Sequence, residues 1–294
     1  MRITQGMLSN NMLRNLSNSY SSLGTYMDQL ATGKKINKPS DDPVIAMKGM
    51  NYRSQVIEVE QFKRNTNEVH NWMDNSDAAL DKATQALQKM RELAVQASND
   101  TYGSEERDNI KEEVEQLKEH LIDIANTNVN GKFIFNGTKT ESMPVQTDPA
   151  TDELVFDQSG SPVLIEVSTN TKLKANVSGS EVFNADLFGK IDEFITALDS
   201  NNQDGVDDSI ETLDEGINNV INSRADLGAR MNRLDLIENR LSSQEINAKR
   251  MMSNNEDIDY EKVITKLTAQ ESVHRAALSA GSRIIQPTLL DFLR

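Results

Sequence analysis

Residues 59–97 read VEQFKRNTNEVHNWMDNSDAALDKATQALQKMRELAVQA and repeat apolar side chains at alternating intervals of three and four. This spacing keeps one stripe of an α-helix facing a partner helix. At about 1.5 Å of rise per residue, the stretch predicts a single helix roughly 58 Å long. Two of its stripe positions are polar, and the stripe comprises Val59, Phe62, Thr66, Val69, Met73, Ser76, Leu80, Ala83, Leu87, Met90, Ala94 and Ala97.

Two stretches downstream have the same spacing and predict further helices. The shorter one follows Gly103 and has a stripe of Ile110, Val114, Leu117, Leu121 and Ile124. The longer one covers residues 206–252 and can pair with the 59–97 helix along most of its length. We interpret the charges on its stripe as side chains that snorkel to water or set the register, because a lone buried charge is costly. These charges are Arg224, Glu238 and Glu245.

The pattern changes between these two helices, where residues 130–185 contain short β-type runs separated by turn residues. We therefore expect a small β-rich insert between the helices. The predicted strands are Lys132 to Phe135, Leu154 to Phe156, Val163 to Val167 and Lys172 to Val177.

The composition favours an elongated, helix-rich protein over a compact globule, since 37% of the 294 residues are hydrophobic and 5% aromatic. The net charge of −15 repels nucleic acids and anionic lipid surfaces, so we expect neither a nucleic-acid partner nor membrane insertion. The chain has no cysteine, which excludes disulfides and thiolate chemistry. Its start, MRITQGMLSNNML, lacks the apolar core of a cleaved signal peptide. We expect a cytoplasmic protein or one exported without signal cleavage.

No enzyme motif emerges from the sequence. His70, His120 and His274 fall on different predicted helices without a second histidine at zinc-binding spacing. Nucleophile-elbow and phosphate-loop spacings are also missing. We therefore predict no catalytic residues, no cofactor and no metal site.

Residues 200–211 partly match the spacing of a calcium-binding loop, but two positions disagree. Ser200 stands where an aspartate is expected, and the apolar position is Asp207. Val206 and Ile210 already belong to the long helical stripe. We interpret Asp204 or Asp207 as the amino-terminal cap of that helix.

Residues 31–46 read ATGKKINKPSDDPVIA and combine a helix stop at Gly33, an extended link and a capped helix starting at Pro43. This order, with Ser40 and the two aspartates before the proline as caps, resembles the block after the first helix in the flagellin superfamily. Three further blocks are similar to the same family: MRIT with Met7 and Leu8, NGKFIFNGT at 130–138, and PTLLDFL at 287–293. The second and third are more similar to members at the hook-filament junction than to filament flagellin.

The resemblance implies a mainly α fold: an elongated, flagellin-like rod of long antiparallel helices, a coiled-coil-like bundle with a small inserted β-rich domain. Residues 1–40 with 256–294 are expected to form an inner domain of terminal helices that is disordered in the monomer. Residues 41–130 with 186–255 would form the rod, and residues 131–185 the outer insert.

The resemblance also implies a structural, non-enzymatic role at the hook-filament junction, outside the cell, after export through the flagellar type III channel. Expected partners are the junction protein proximal to the hook, flagellin, further copies in a ring, and a cytoplasmic export chaperone. Short helices with one apolar stripe cannot bury it alone, so we expect the terminal helices to pack against other subunits. The predicted interface is Leu13, Leu16, Tyr20, Leu23, Met27, Leu30, Leu267, Leu278, Ile284, Leu289, Leu290 and Phe292.

Other interpretations stay open at this stage. The interface residues could instead close a hairpin within the chain, or do both. The protein could be filament flagellin itself, a cytoplasmic coiled-coil adaptor, or an enzyme with its site in the β insert.

Overall fold

The structure is a computed structural model that describes residues 5–99, 103–148 and 153–285. The described residues form α1 (Gln5–Thr32), α2 (Pro43–Ala97), α3 (Ser104–Ala125), β1 (Asn128–Val129), β2 (Lys132–Phe133), β3 (Val145–Thr147), β4 (Leu154–Phe156), β5 (Leu164–Ser168), β6 (Thr171–Lys174), α4 (Gly179–Val182), α5 (Ala185–Asp199), α6 (Gln203–Glu256) and α7 (Tyr260–Ile285). The mainly α class with long antiparallel helices and a β-rich insertion is confirmed. None of the described helices combines the length and the apolarity needed to cross a membrane.

The chain divides into two compact units. One contains Met1–Glu58 and Gln244–Arg294, and the other contains Val59–Ser243. The sequence predicted three domains, an inner domain, a rod and an outer insert. That three-domain division stays a prediction.

The core of the second unit forms along the stripe predicted on α2. Every stripe position from Thr66 to Ala97 is buried, and Val59 and Phe62 pack against the core from its edge. The two polar members fit because they bond within the helix: the Thr66 hydroxyl donates to the Lys63 carbonyl and the Ser76 hydroxyl to the Trp72 carbonyl. The predicted stripe of α3 is also buried, apart from the half-buried Leu117.

Helix α6 runs antiparallel to α2 and pairs with it through charged side chains. The Arg224 guanidinium contacts Asp77 at 2.7 Å and Asp81 at 2.6 Å, so it sets the register as predicted. Towards the other end of the pair, the Ser98 hydroxyl donates to the Asp207 carboxylate. Asp207 therefore links α6 to α2 and is not the predicted helix cap. The helix begins after Asn202, whose side-chain oxygen accepts from the Gly205 amide at 3.4 Å, and Asp204 lies in its first turn.

The described residues of the β segment form three antiparallel pairs, β1 with β2, β3 with β4, and β5 with β6. The first pair turns at Asn130 and Gly131, whose positive φ angles of 53° and 80° suit a tight hairpin. The predicted strand at Leu154 to Phe156 is confirmed, while β1 and β3 were not predicted. The segment is tied to α2 by the Trp72 indole, which donates to the Ile134 carbonyl at 3.2 Å.

Helix α5 was also not predicted and supplies a large part of the core. The Asn184 side chain caps it by accepting from the Leu187 amide at 2.8 Å. Its buried face contains Leu187, Phe188, Ile191, Phe194, Ala197 and Leu198. Helix α5 packs on α3, where Lys111 pairs with Asp199 at 2.6 Å.

Candidate functional site

The first unit contains few of the buried hydrophobic side chains. Among the described residues, those of this unit are Val56, Ala248, Ile258 and Val263, and all others lie in the second unit. The first unit instead contains most of the large hydrophobic side chains that are exposed. Where such side chains lie together they form interaction sites.

Helices α1 and α7 pack against each other in antiparallel orientation. The Gln270 amide donates to the buried Ser19 hydroxyl at 2.9 Å. At one end of the pair, a Cβ at Gly281 would lie 3.0 Å from the Met12 sulfur, and at the other a Cβ at Gly33 would lie 2.9 Å from the Tyr260 hydroxyl. The half-buried or buried residues of α1 include a heptad-spaced set: Met12, Leu16, Ser19, Leu23, Tyr26 and Leu30.

The predicted interface residues of α1 are divided between two faces. Leu16, Leu23 and Leu30 are half-buried and lie on the face that packs against α7. Leu13, Tyr20 and Met27, also seven residues apart, are 53%, 72% and 61% exposed. We call these three residues the outer stripe. The centroid of the Tyr20 ring lies 6.1 Å from that of the His274 ring on α7.

The predicted residues of α7 are divided in the same way. Leu267 is half-buried, whereas Leu278 is 48% exposed. Ile284 lies in the last turn of α7, and nothing is described of its side chain. Leu289, Leu290 and Phe292 lie outside the described residues.

Further exposed hydrophobic residues of this unit lie on the ends of α2 and α6 and were not predicted. On α2 they are Val44, Met47, Met50 and Ile57, and on α6 they are Ile246 and Met251. The signal was present in the sequence as methionines and branched residues off the main stripe, but they have no regular heptad spacing.

The block at residues 31–46 holds the end of α1 against the turn between α6 and α7. Gly33 has a φ of +68°, which ends α1, and its carbonyl accepts from the Ile258 amide at 3.0 Å. The Lys35 amide donates to the Glu256 carbonyl, and the Lys34 ammonium contacts Asp257 at 2.6 Å. We call this contact region the clasp.

Glu256 is the buried centre of the clasp. Its side chain is 5% exposed and contacts Arg53 at 2.7 Å and Lys34 at 3.4 Å. The Arg53 guanidinium, together with Lys34, holds the pKa of the Glu256 carboxyl below its ordinary value. Gly49 leaves room for this approach, because a Cβ there would lie 2.6 Å from Glu256 Oε1 in its present position.

Two aspartates organise the link from the clasp to α2. The Asp42 carboxylate caps α2 by accepting from the Val44 and Ile45 amides at 2.9 and 3.1 Å. The Asp41 carboxylate accepts from the Lys38 and Asn37 amides, and these bonds lower its pKa. Ser40, which the sequence suggested as a cap, makes no such bond among the described contacts.

One group of side chains in the described residues brings possible metal ligands together, and it was not predicted. His70 on α2 lies beside Asp235 and Glu238 on α6, with all three ligand atoms within 4.8 Å of one another. The three residues come from two helices far apart in sequence, so no short motif marks them.

The helices of the α1–α7 pair lie within the two parts of the chain that match known families. Residues 3–140 match the bacterial flagellin N-terminal helical region, and residues 210–293 match the bacterial flagellin C-terminal helical region. The chain belongs to the flagellin family. As a flagellin-family chain it is a structural protein, and the predicted family is confirmed.

Curated relatives of this flagellin-family chain are similar over nearly its whole length. Flagellar hook-associated protein 3 of Escherichia coli (strain K12) is 25% identical over 306 residues, covering 95% of this chain and 96% of the relative. A flagellin of Bacillus subtilis (strain 168) is 28% identical over 308 residues and covers 100% of both chains.

Among solved structures, a flagellar hook-associated protein of Vibrio parahaemolyticus has a TM-score of 0.69 at 20% identity. It covers 74% of this chain and 100% of its own. This likeness shows that the two proteins share a fold.

Proposed function

We propose that the protein is the structural component that joins hook and filament in the bacterial flagellum. The observation that carries this proposal is the match over nearly the whole chain to hook-associated protein 3, since the E. coli and Salmonella typhimurium proteins cover 95% and 94% of it. The NGKFIFNGT block at 130–138 and the LLDFLR ending at 289–294, which resemble junction members of the family, support the same choice.

The partners we propose are the hook-associated protein on the hook side, flagellin on the filament side, and further copies of this chain in a ring. The outer stripe of α1 supports such assembly, because α7 covers the neighbouring face of the helix and leaves Leu13, Tyr20 and Met27 exposed. Burial of three large side chains would contribute several kcal/mol at about 25 cal/mol per Å² of apolar surface. Each helix would thus use one stripe within the chain and another between subunits.

We also propose that the protein acts outside the cell, after export through the flagellar type III channel with a cytoplasmic chaperone. The absence of cysteine suits this route, because no disulfide has to form after passage. A structural role requires no catalysis, no cofactor, no nucleic acid and no insertion into a membrane.

The second candidate function is filament flagellin itself. The flagellin of Bacillus subtilis favours it, since its identity of 28% extends over the whole of both chains. Polymerisation of the purified protein separates the two functions. A junction protein stays short or monomeric under conditions in which filament flagellin elongates on added seeds.

The proposal is tested by removing residues 284–294 in the native organism and examining cells by electron microscopy. We expect filaments to be lost while hooks remain and the variant is still exported. Circular dichroism of the purified variant should retain a helical second unit, because its core lies within Val59–Ser243. Filaments attached normally to the hooks of this variant would contradict the proposal.

A further inference from the structure

The facing sides of α2 and α6 bring together one imidazole and two carboxylates. The Nε2 atom of His70 lies 3.2 Å from Glu238 Oε2 and 3.5 Å from Asp235 Oδ1. Asp235 and Glu238 are three residues apart on α6 and therefore lie on the same side of that helix. Both carboxylates face the same ring nitrogen.

These separations match those between the ligands of a tetrahedral metal ion. Bonds from Zn²⁺ to imidazole nitrogen and carboxylate oxygen are about 2.0–2.2 Å long, which places neighbouring ligand atoms roughly 3.3–3.6 Å apart. Both nitrogen-to-oxygen distances are close to this range. The carboxylate oxygens also lie within 4.8 Å of each other, so all three ligand atoms are close enough to surround one ion.

The charges of the group also suit a divalent cation. Within the described residues, neither carboxylate pairs with a lysine or arginine, and His70 is the contact of both. A neutral imidazole with two carboxylates has two negative charges, which a divalent ion balances. The side chains are 27%, 59% and 39% exposed for His70, Asp235 and Glu238, so an ion and its water ligands can reach them.

We propose that His70, Asp235 and Glu238 bind one divalent transition-metal ion of the Zn²⁺ type, with water in the remaining position. Imidazole and carboxylate oxygen together select such an ion over Mg²⁺ or Ca²⁺, which prefer oxygen alone. The bound ion links α2 to α6 between residues 168 positions apart, and so stabilises the helix pair of the second unit. This property is independent of the assembly role proposed above.

Titration of the full chain with ZnCl₂ by isothermal calorimetry tests the proposal. We expect one ion per chain and a rise in the thermal midpoint measured by circular dichroism. His70→Ala and Glu238→Gln should each weaken binding at least about tenfold and remove the thermal shift, because each deletes a direct ligand. Bound Co²⁺ should show the intense visible absorption of tetrahedral coordination in the unchanged chain and lose it in both variants.

The matched control is His120→Ala, which removes an exposed histidine from α3. This control should bind Zn²⁺ as the unchanged chain does. Glu238→Gln keeps the size of the side chain, so a folded variant is available even if His70→Ala is unstable. The proposal is overturned if the unchanged chain shows no saturable binding, or if the two ligand variants bind as tightly as the control.

Discussion

Arg53 on α2 and Glu256 at the end of α6 form an ion pair of 2.7 Å although 203 positions separate them in sequence. The arginine is largely exposed, whereas the glutamate is buried. Burial of a carboxylate is tolerated only with charged or hydrogen-bonded partners, and here Arg53 and Lys34 provide them. The clasp thus ties the end of α6 to Lys34, just after α1, and to Arg53 on α2 through one buried carboxylate.

Glu256→Gln should loosen the first unit. The amide keeps the size of the side chain but loses the charge that faces Arg53 and Lys34, which we expect to cost about 1–3 kcal/mol. Hydrogen exchange of the backbone amides in α1 and α7 should speed up, while that of the buried part of α2 stays unchanged. Glu261→Gln is the control, because Glu261 is exposed in the first turn of α7. Equal exchange in the two variants would contradict this role of the clasp.

The clasp should also weaken in acid. Lys34 and then the Ser253 hydroxyl lower the pKa of Asp257, as Arg53 and Lys34 lower that of Glu256. A carboxyl whose pKa is lower in the folded chain adds stability above its unfolded pKa of about 4 and loses it as the pH falls through the folded value. Hydrogen exchange in α7 should therefore accelerate as the pH falls below about 4. After correction for intrinsic exchange, a variant with Glu256→Gln and Asp257→Asn should lack most of this pH dependence.

Arg224→Lys should destabilise the second unit slightly. A lysine keeps the charge but cannot contact Asp77 and Asp81 with separate nitrogens as the guanidinium does. All three side chains are at least a third exposed, so solvent screening limits the loss to about 0.5–1 kcal/mol. Urea unfolding followed by circular dichroism measures it. Arg240→Lys, at an exposed position of α6, should leave the free energy of unfolding unchanged. A larger loss of stability in Arg240→Lys than in Arg224→Lys would contradict the role of Arg224.

Replacing the outer stripe by serine should prevent assembly without unfolding the chain. Leu13, Tyr20 and Met27 are exposed, so the variant with all three serines should keep the circular dichroism and thermal midpoint of the unchanged protein. Cells with this variant should have hooks without filaments. Leu23→Ser is the comparison, since Leu23 is half-buried against α7 and should lower the stability of the first unit itself. Normal filaments with the triple variant would show that the stripe binds nothing essential.

The long helices were predictable because their spacing is regular over many turns. Most apolar positions of the stripes on α2 and α6 are buried and the others are half-buried, since a heptad pattern of this length has few alternatives. Helix α5 was missed although Asn184 and the spacing of Leu187, Phe188, Ile191 and Phe194 indicate a capped amphipathic helix. The helix was missed because its fifteen residues directly follow the β-type runs and are too few to show a heptad pattern over many turns.

The sequence could not separate the two faces of α1, because the helix has apolar residues on more than one face. The role of these residues in subunit contacts stays a prediction. The stripe predicted from the sequence contains Leu13, Tyr20 and Met27 as well as Leu16, Leu23 and Leu30. Only the last three lie on the face that packs against α7. Spacing alone cannot decide whether Leu16, Leu23 and Leu30 face α7 together with the outer stripe or together with Ser19 and Tyr26. The contact between Ser19 and Gln270 decides it, and the two residues are 251 positions apart. The clasp and the group around His70 also join residues far apart in sequence, so no local pattern predicts them.

The central claim is that the outer stripe of α1 is free in the monomer and covered in the flagellum. The chain has no cysteine, so Tyr20→Cys introduces a single thiol at a position 72% exposed. A bulky maleimide should label it quickly in the purified monomer and at least about tenfold more slowly in isolated hook-filament complexes. Val155→Cys on β4, 50% exposed in the β segment, serves as the control and should react in both. Equal labelling of Tyr20→Cys in the monomer and in the complexes would contradict the claim.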